Sequence, residues 1–227
     1  MKKGLMKGTL SLLLGILFMF TSDEAAAQLR SRIDVQEWPN GMVVLTTGDT
    51  LRGPIAFYRK DDVINVLHSD GTVSALSPVN VQYFIAQDSF KDQPHVFVSL
   101  MWDQGKDYSN FKRPTFFEQL SPGNVTLVMR EAYVQRDISR SSRLLASSYY
   151  YDPYYYSGSQ MTEEVRELYY LLMPDGNVLT LRKTKRDLLR AFGNKASQVK
   201  TFVKNERLSY DRPTDLVSIL EYYNGLN

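Results

Sequence analysis

From Met42 to about Val134, short runs of β-branched and aromatic residues alternate with Gly, Asp, Asn and Pro, a pattern of strands joined by tight turns. Met42 to Thr46 runs into Thr47-Gly48-Asp49-Thr50, and Leu51 to Arg59 leads away, which predicts a hairpin whose turn residues tolerate positive φ. Lys60-Asp61-Asp62 separates that strand from Val63 to His68, and Ser69-Asp70-Gly71 precedes Val73 to Leu76. Val79 to Ala86 follows Pro78, which stands where a missing amide donor does no harm. Further strands are expected at His95 to Trp102, at Phe116 to Leu120 and, after Ser121-Pro122-Gly123-Asn124, at Val125 to Val134. In the last, Val125, Leu127 and Met129 against Thr126 and Arg130 predict one buried face, with Val128 interrupting the polar side. Seven or eight short antiparallel strands predict a small β barrel or roll, because an open sheet leaves its edges exposed.

Between Ser139 and Thr162 the composition shifts to Ser and Tyr without a usable period, which reads as a mobile loop of residues 139–162. Val165 to Met173, the turn Pro174-Asp175-Gly176-Asn177 and Val178 to Arg182 then form a second hairpin. Three short helices are expected after it. Thr184 and Asp187 look like a capping pair for the first, whose apolar stripe is Leu188, Leu189 and Phe192, with Gly193 at its stop. Asn194 is placed to cap the second, which buries Val199, Phe202 and Val203 and leaves Lys200 and Lys204 outside. Pro213 opens the third, in which Leu216, Ile219, Leu220 and Tyr223 share a face and Gly225 marks the end. The expected class is therefore α+β: a β-rich region 28–138, the loop, and a hairpin with three helices over 163–227.

The first 27 residues change the picture from fold to address. Lys2, Lys3 and Lys7 precede an apolar run from Leu10 to Phe20 and the small residues Ala25-Ala26-Ala27, the layout of a cleavable signal peptide with a mature start at Gln28. The run is about 11 residues, short of the ~20 needed to span a bilayer, so no transmembrane segment is expected after processing. The absence of cysteine excludes disulfides, thiolate metal sites and cysteine nucleophiles, and fits a bacterial periplasm, outer-membrane periphery or cell exterior. A formal charge near zero gives no case for nucleic acid, although Lys183 to Arg212 holds many more basic than acidic residues. That stretch reads first as solvated helix faces and second as a patch for anionic surface polymers or lipid head groups.

Candidate chemistry is sparse. His68 and His95 both fall on expected strands, and His68-Ser69-Asp70 holds the residue types of a hydrolase triad, but chain neighbours do not supply triad geometry. Asp61-Asp62 reads as a solvent-facing turn and Glu163-Glu164 as the start of a strand. Asp103 and Asp107 have the oxygen ligands of a calcium loop, but their spacing matches no standard loop and Lys106 intrudes. Phosphate loops, zinc clusters and dinucleotide fingerprints are absent, so no cofactor, metal or catalytic residue is assigned. The one unusual feature is the tyrosine run Tyr149, Tyr150, Tyr151, Tyr154, Tyr155 and Tyr156 around Asp152-Pro153. Tyrosine pairs a flat apolar face with a hydrogen-bonding tip, which suits a binding surface for a sugar polymer or a partner protein; the plainer reading is a low-complexity spacer.

The stretch Gly48-Asp49-Thr50-Leu51-Arg52-Gly53-Pro54-Ile55, the segment from Phe117 to Leu127 and the ending from Asp215 to Asn224 resemble a broad set of exported, uncharacterised proteins of Bacteroidota-type bacteria. The resemblance implies export, a β-rich front half and a helical tail ending in a Tyr-Asn pair, and it carries over no catalytic residue. The expectation is a non-enzymatic envelope or surface protein that binds a partner protein or polysaccharide. The alternative is an envelope hydrolase or glycan-processing enzyme whose carboxylates converge only in the fold.

Overall fold

The computed structural model describes residues 34–88, 93–105, 111–137 and 161–226. Residues 1–33, which include the expected signal peptide, and residues 138–160, with Tyr149 to Tyr156, lie outside them; Met161 and Thr162, expected as the end of the loop, belong to a strand.

Among the described residues, twelve strands precede three helices. In chain order the strands are β1 (Val35–Trp38), β2 (Asn40–Leu45), β3 (Thr50–Arg52), β4 (Ile55–Tyr58), β5 (Val63–Leu67), β6 (Val73–Leu76), β7 (Val81–Gln87), β8 (His95–Trp102), β9 (Arg113–Ser121), β10 (Thr126–Asp137), β11 (Met161–Leu172) and β12 (Val178–Thr180). The helices are α1 (Thr184–Ala191), α2 (Ala196–Asn205) and α3 (Pro213–Gly225), with a 3-10 turn at Gly193–Lys195. All strand pairs are antiparallel.

The strands expected in one barrel or roll divide between two sheets that do not close: β1-β4-β5-β6, and β12-β11-β10-β9-β8-β7-β2-β3. The physical cause is at the corners. Leu51 to Arg59, expected as one strand, breaks at Gly53-Pro54, so that β3 stays with β2 while β4 joins β1 and β5. Gly53 N donates to Gly41 O at 3.1 Å on the larger sheet, and Pro54 O accepts from Leu67 N at 3.0 Å on the smaller one. Two residues thus hand the ladder from one sheet to the other. The chain changes sheets again between β1 and β2, at Pro39, and between β6 and β7.

The sheets stack through an aromatic layer. Phe57 of the smaller sheet meets Phe84, Phe97 and Phe116 of the larger one, with Trp38, Ile55, Ile64, Val66 and Val43 filling around them. Phe84 and Phe97 lie parallel at 4.4 Å, and Phe116 stands edge-on to both Phe57 and Phe84. Such ring pairs add about 0.5–1.5 kcal/mol each beyond the area they bury.

On the opposite face of the larger sheet, Phe117, Val128 and Tyr170 form a second core with Trp102, Leu172 and Val178 around it. That is why Val128, which interrupts the polar side of β10 in the sequence, is fully buried: β10 is covered on both faces. The sheet curls about this core until β12 comes near β8. Side chains rather than a ladder bridge the remaining seam, Arg182 Nη2 donating to Gly105 O at 2.7 Å and Lys112 Nζ to Asn177 Oδ1 at 2.8 Å.

The helices cover the β10–β11 end of the larger sheet. Leu188, Phe192, Val199, Val203, Leu216, Ile219 and Leu220 pack with Val125, Leu127 and Leu171, the apolar stripes expected from their spacing. Two expected caps differ. Thr184 is the first residue of α1 and does not cap it; Asp187 does the work alone, its Oδ2 accepting from Lys183 N at 2.8 Å. Asn194 lies in the 3-10 turn, and no side chain caps α2.

Asn224 near the end of α3 ties that helix to the start of β10. Its Oδ1 accepts from Val125 N at 3.0 Å and its Nδ2 donates to Val125 O at 2.8 Å, a side-chain rung just before β10. Gly123 leaves the room, since a Cβ there would lie 2.2 Å from Asn224 Nδ2. Asn224→Ala leaves the amide and carbonyl of a buried residue unpaired and is expected to cost about 1–3 kcal/mol. Asn224→Asp keeps an acceptor for Val125 N but sets a second acceptor against Val125 O, and is expected to cost at least as much. Urea denaturation of both variants checks this; a loss within 0.5 kcal/mol for the alanine variant, about the noise of a neutral surface change, would show the rung to be dispensable.

Candidate functional site

The aromatic layer ends in a cleft between the sheets, and polar residues line it because strand alternation carries them inward. Phe116 and Glu118 share a face of β9, and Met129 and Glu131 share the same face of β10. Across from them the smaller sheet contributes Gln36, Phe57 and Arg59. Arg59, just beyond β4, forms an ion pair with Glu131, and its Nε donates to Asp34 O at 3.2 Å. His95, the first residue of β8, holds Glu118: Nδ1 lies 2.6 Å from Oε1, and the ring leans on Trp38 at 5.9 Å. Tyr169 stands opposite Met129 on β11 and donates its hydroxyl to Glu167. Burial first, then the Glu167 and Glu118 carboxylates, push the Tyr169 phenol well above its ordinary range, so it stays a donor.

Each carboxylate of the cleft therefore has its own counter-group: His95 for Glu118 and Arg59 for Glu131. Free space inside is about 20 Å³, room for about one water molecule. The sequence reading singled out His95 but neither glutamate. The available signal was Glu118 two residues after Phe116 on a strand, a charge at a position the pattern turns inward.

His68 is elsewhere, at the end of the β5–β6 hairpin. Its Nε2 lies 2.8 Å from Ser74 Oγ, a base-and-hydroxyl pair, but Asp70 does not complete a triad. The Asp70 Oδ1 accepts from both the hydroxyl and the amide of Thr72, at 2.6 and 2.9 Å, and these bonds hold its carboxyl below the usual range. Ser69 takes no part in the pair, in keeping with the reading that chain neighbours do not supply triad geometry.

Asp61 is exposed as expected, but Asp62 is not a solvent-facing turn residue: it is 7% exposed, at φ 56°. β10 parts from β9 beyond the Glu118–Met129 pair, and Asp62 enters the gap. Its Oδ2 accepts from Phe116 N at 3.3 Å, while Arg130 Nη1 reaches both its oxygens at 3.3 Å and donates to Phe116 O at 2.9 Å. Arg130 also lies over the rings of Trp102 and Phe117. Asp62 and Arg130 thus replace the missing rung between β9 and β10.

Asp103 turns its Oδ1 to Gly105 N at 2.8 Å. Asp107 lies outside the described residues, among which no three His, Asp or Glu side chains gather to hold a metal. The backbone of Glu163 and Glu164 belongs to β11.

Among the larger concavities at the surface of the described residues, two have distinctive linings. One, of about 570 Å³, lies on the outer face of the smaller sheet and is apolar, with Pro39, Pro54, Ala56, Leu67 and Val73. The other, of about 260 Å³, lies at the seam between β12 and the end of β8, lined by Asp103, Leu179 and Thr180 and by Arg182, Arg186, Asp187 and Arg190. Among the described residues no helix is long and apolar enough to cross a membrane. No family model, curated protein or solved structure matches the chain.

Proposed function

We propose that the protein is an exported, non-enzymatic component of a bacterial envelope or surface, of the kind it resembles, and that it works by binding a partner protein or polymer. On this reading the two stacked sheets are a small, unclosed roll that serves as the rigid scaffold. The observation that carries it is the cleft, where among the described residues two carboxylates line one cavity. Its two carboxylates, Glu118 and Glu131, are each held by a base of the protein itself, and its interior admits about one water rather than a substrate. The roomier concavities lie on the surface, where a partner protein or polymer can reach them.

The second reading, a glycan-processing hydrolase, is favoured by one fact: Glu118 and Glu131 line the same cleft. One experiment separates the two. The protein is immobilised, exposed to solubilised envelope fractions, and the retained material and newly released reducing ends are both measured. Retention without release is expected, and retention should survive Glu118→Gln. Release that Glu118→Gln and Glu131→Gln each abolish by ~100-fold or more, the scale of a lost general acid or base, would establish the hydrolase instead.

A further inference from the structure

We propose that the seam groove between β12, α1 and the end of β8 binds an acidic polysaccharide, with Arg182, Arg186 and Arg190 as its anion-reading side chains; this rests on the binding reading above and names its ligand class. The groove exists because the curled sheet does not close. Asp103 stands on the β8 bank and Val178 to Arg182 with the exposed face of α1 on the other.

The three arginines are brought together by helix spacing. Arg186 and Arg190 are four residues apart on α1 and so lie one turn above the other. Arg182, just before α1, is drawn across the seam by its bond to Gly105 O at 2.7 Å. All three are exposed. Arg186 is steadied by Asp187 Oδ1 at 2.9 Å, but that carboxylate is already committed to the amide of Lys183, and Arg190 feels it only at longer range. Guanidinium forks suit the planar carboxylate and the phosphate ester better than ammonium groups do.

The rest of the lining suits a sugar rather than a bare anion. Leu179, 40% exposed, offers an apolar contact for a ring's C–H face. Thr180 and Asp103 offer a hydroxyl and a carboxylate that can meet sugar hydroxyls. The wider field points the same way: Lys183 to Arg212 carries nine basic side chains against three acidic ones, so a polyanion is drawn toward this end of the molecule. The free space, about 260 Å³, is near the lower end of the ~300–1,000 Å³ typical of small-ligand sites, which fits one sugar unit of a chain passing along the seam.

The test titrates the protein with polygalacturonate, with neutral dextran as the matched control, and compares Arg186→Glu/Arg190→Glu with Lys200→Glu/Lys204→Glu. Both variants change the charge by the same amount, but the lysines stand on the exposed side of α2, outside the groove. Binding of polygalacturonate and not dextran is expected, weakened by added salt, and reduced at least ~10-fold in the arginine variant but not in the lysine variant. Equal losses in both variants would show diffuse attraction and overturn the groove, as would undiminished binding by an arginine variant with native circular dichroism. If the protein and the arginine variant retain the same envelope material, the groove assignment fails and the binding reading stands. If the unaltered protein retains no envelope material at all, the binding reading fails with it.

Discussion

Arg130→Met is expected to cost about 3–5 kcal/mol at neutral pH, the scale of a broken buried ion pair, and much less in acid. The size follows from where Asp62 sits. Its carboxylate is held in the gap between β9 and β10, its side chain only 9% exposed, with Arg130 as its charged partner. Burial raises the Asp62 pKa above the ordinary aspartate value, and the Arg130 charge and hydrogen bond offset part of that rise. Because the folded value is the higher one, the Asp62 contribution to stability is complete below the ordinary aspartate pKa, about 3.9, and declines as pH rises through the folded value. Removing Arg130 removes the offset, raises the folded pKa further, and deepens the decline. In acid the carboxyl is neutral in both states, and what remains is the donor lost by Phe116 O, about 0.5–1.5 kcal/mol.

Urea unfolding of the native chain and of Arg130→Met, near neutrality and again about one pH unit below the ordinary aspartate pKa, measures the difference directly. Other carboxylates cancel in the comparison. Asp62→Asn/Arg130→Met should show no growth of the deficit: its distance from the native chain should narrow toward neutrality, because only the native chain then loses the Asp62 contribution. A deficit for Arg130→Met that does not shrink in acid would mean that Arg130 acts through its packing on Trp102 and Phe117, and not through Asp62.

The Asp62–Arg130 pair also shows which parts of this molecule were legible in its sequence. Val73 to Leu76 and His95 to Trp102 are read to the residue as β6 and β8, because turn residues bound each run and local chemistry decides where a strand stops. The helical stripes were legible for a similar reason: Leu216, Ile219 and Leu220 share a face wherever α3 is placed. The assignment of strands to sheets was not legible, since β3 and β4 have the same local character and differ only in their neighbours. Nor was Asp62. An aspartate in a Lys-Asp-Asp turn carries no mark of the arginine 68 positions away that makes its burial tolerable. Glu118 and His95, 23 positions apart, are the same case on a smaller scale. Pairings of this kind depend on strand register, and a local pattern is silent about register. Where the chain crosses between sheets, however, the sequence does carry a sign, a glycine and a proline inside an otherwise continuous β run at Gly53-Pro54.

That corner sets the second large effect. Gly53→Ala is expected to destabilise by about 2–4 kcal/mol, from a backbone conformation that L side chains rarely adopt together with a clash that cannot relax cheaply. Gly53 has φ +154°, and a Cβ placed on it would sit 2.0 Å from the carbonyl oxygen of Leu67. That oxygen belongs to β5, and the corner is stitched on both sides by Gly53 N to Gly41 O and Leu67 N to Pro54 O. Moving the Leu67 carbonyl away strains the bond that begins β4, and moving Gly53 away strains the bond to β2. The two sheets must separate slightly at the point where one strand run serves both. Gly71→Ala separates the conformational part from the steric part: Gly71 is also in the left-handed region, at φ +85°, but a Cβ there has nothing within 4 Å. It should cost about 1 kcal/mol, the left-handed penalty alone. Thermal unfolding of the two variants side by side gives the comparison, and the larger part of the Gly53→Ala loss should survive subtraction of the Gly71→Ala value. Equal losses would show that backbone conformation alone accounts for the glycine, and that the approach of β5 to the corner has slack enough to admit a methyl group.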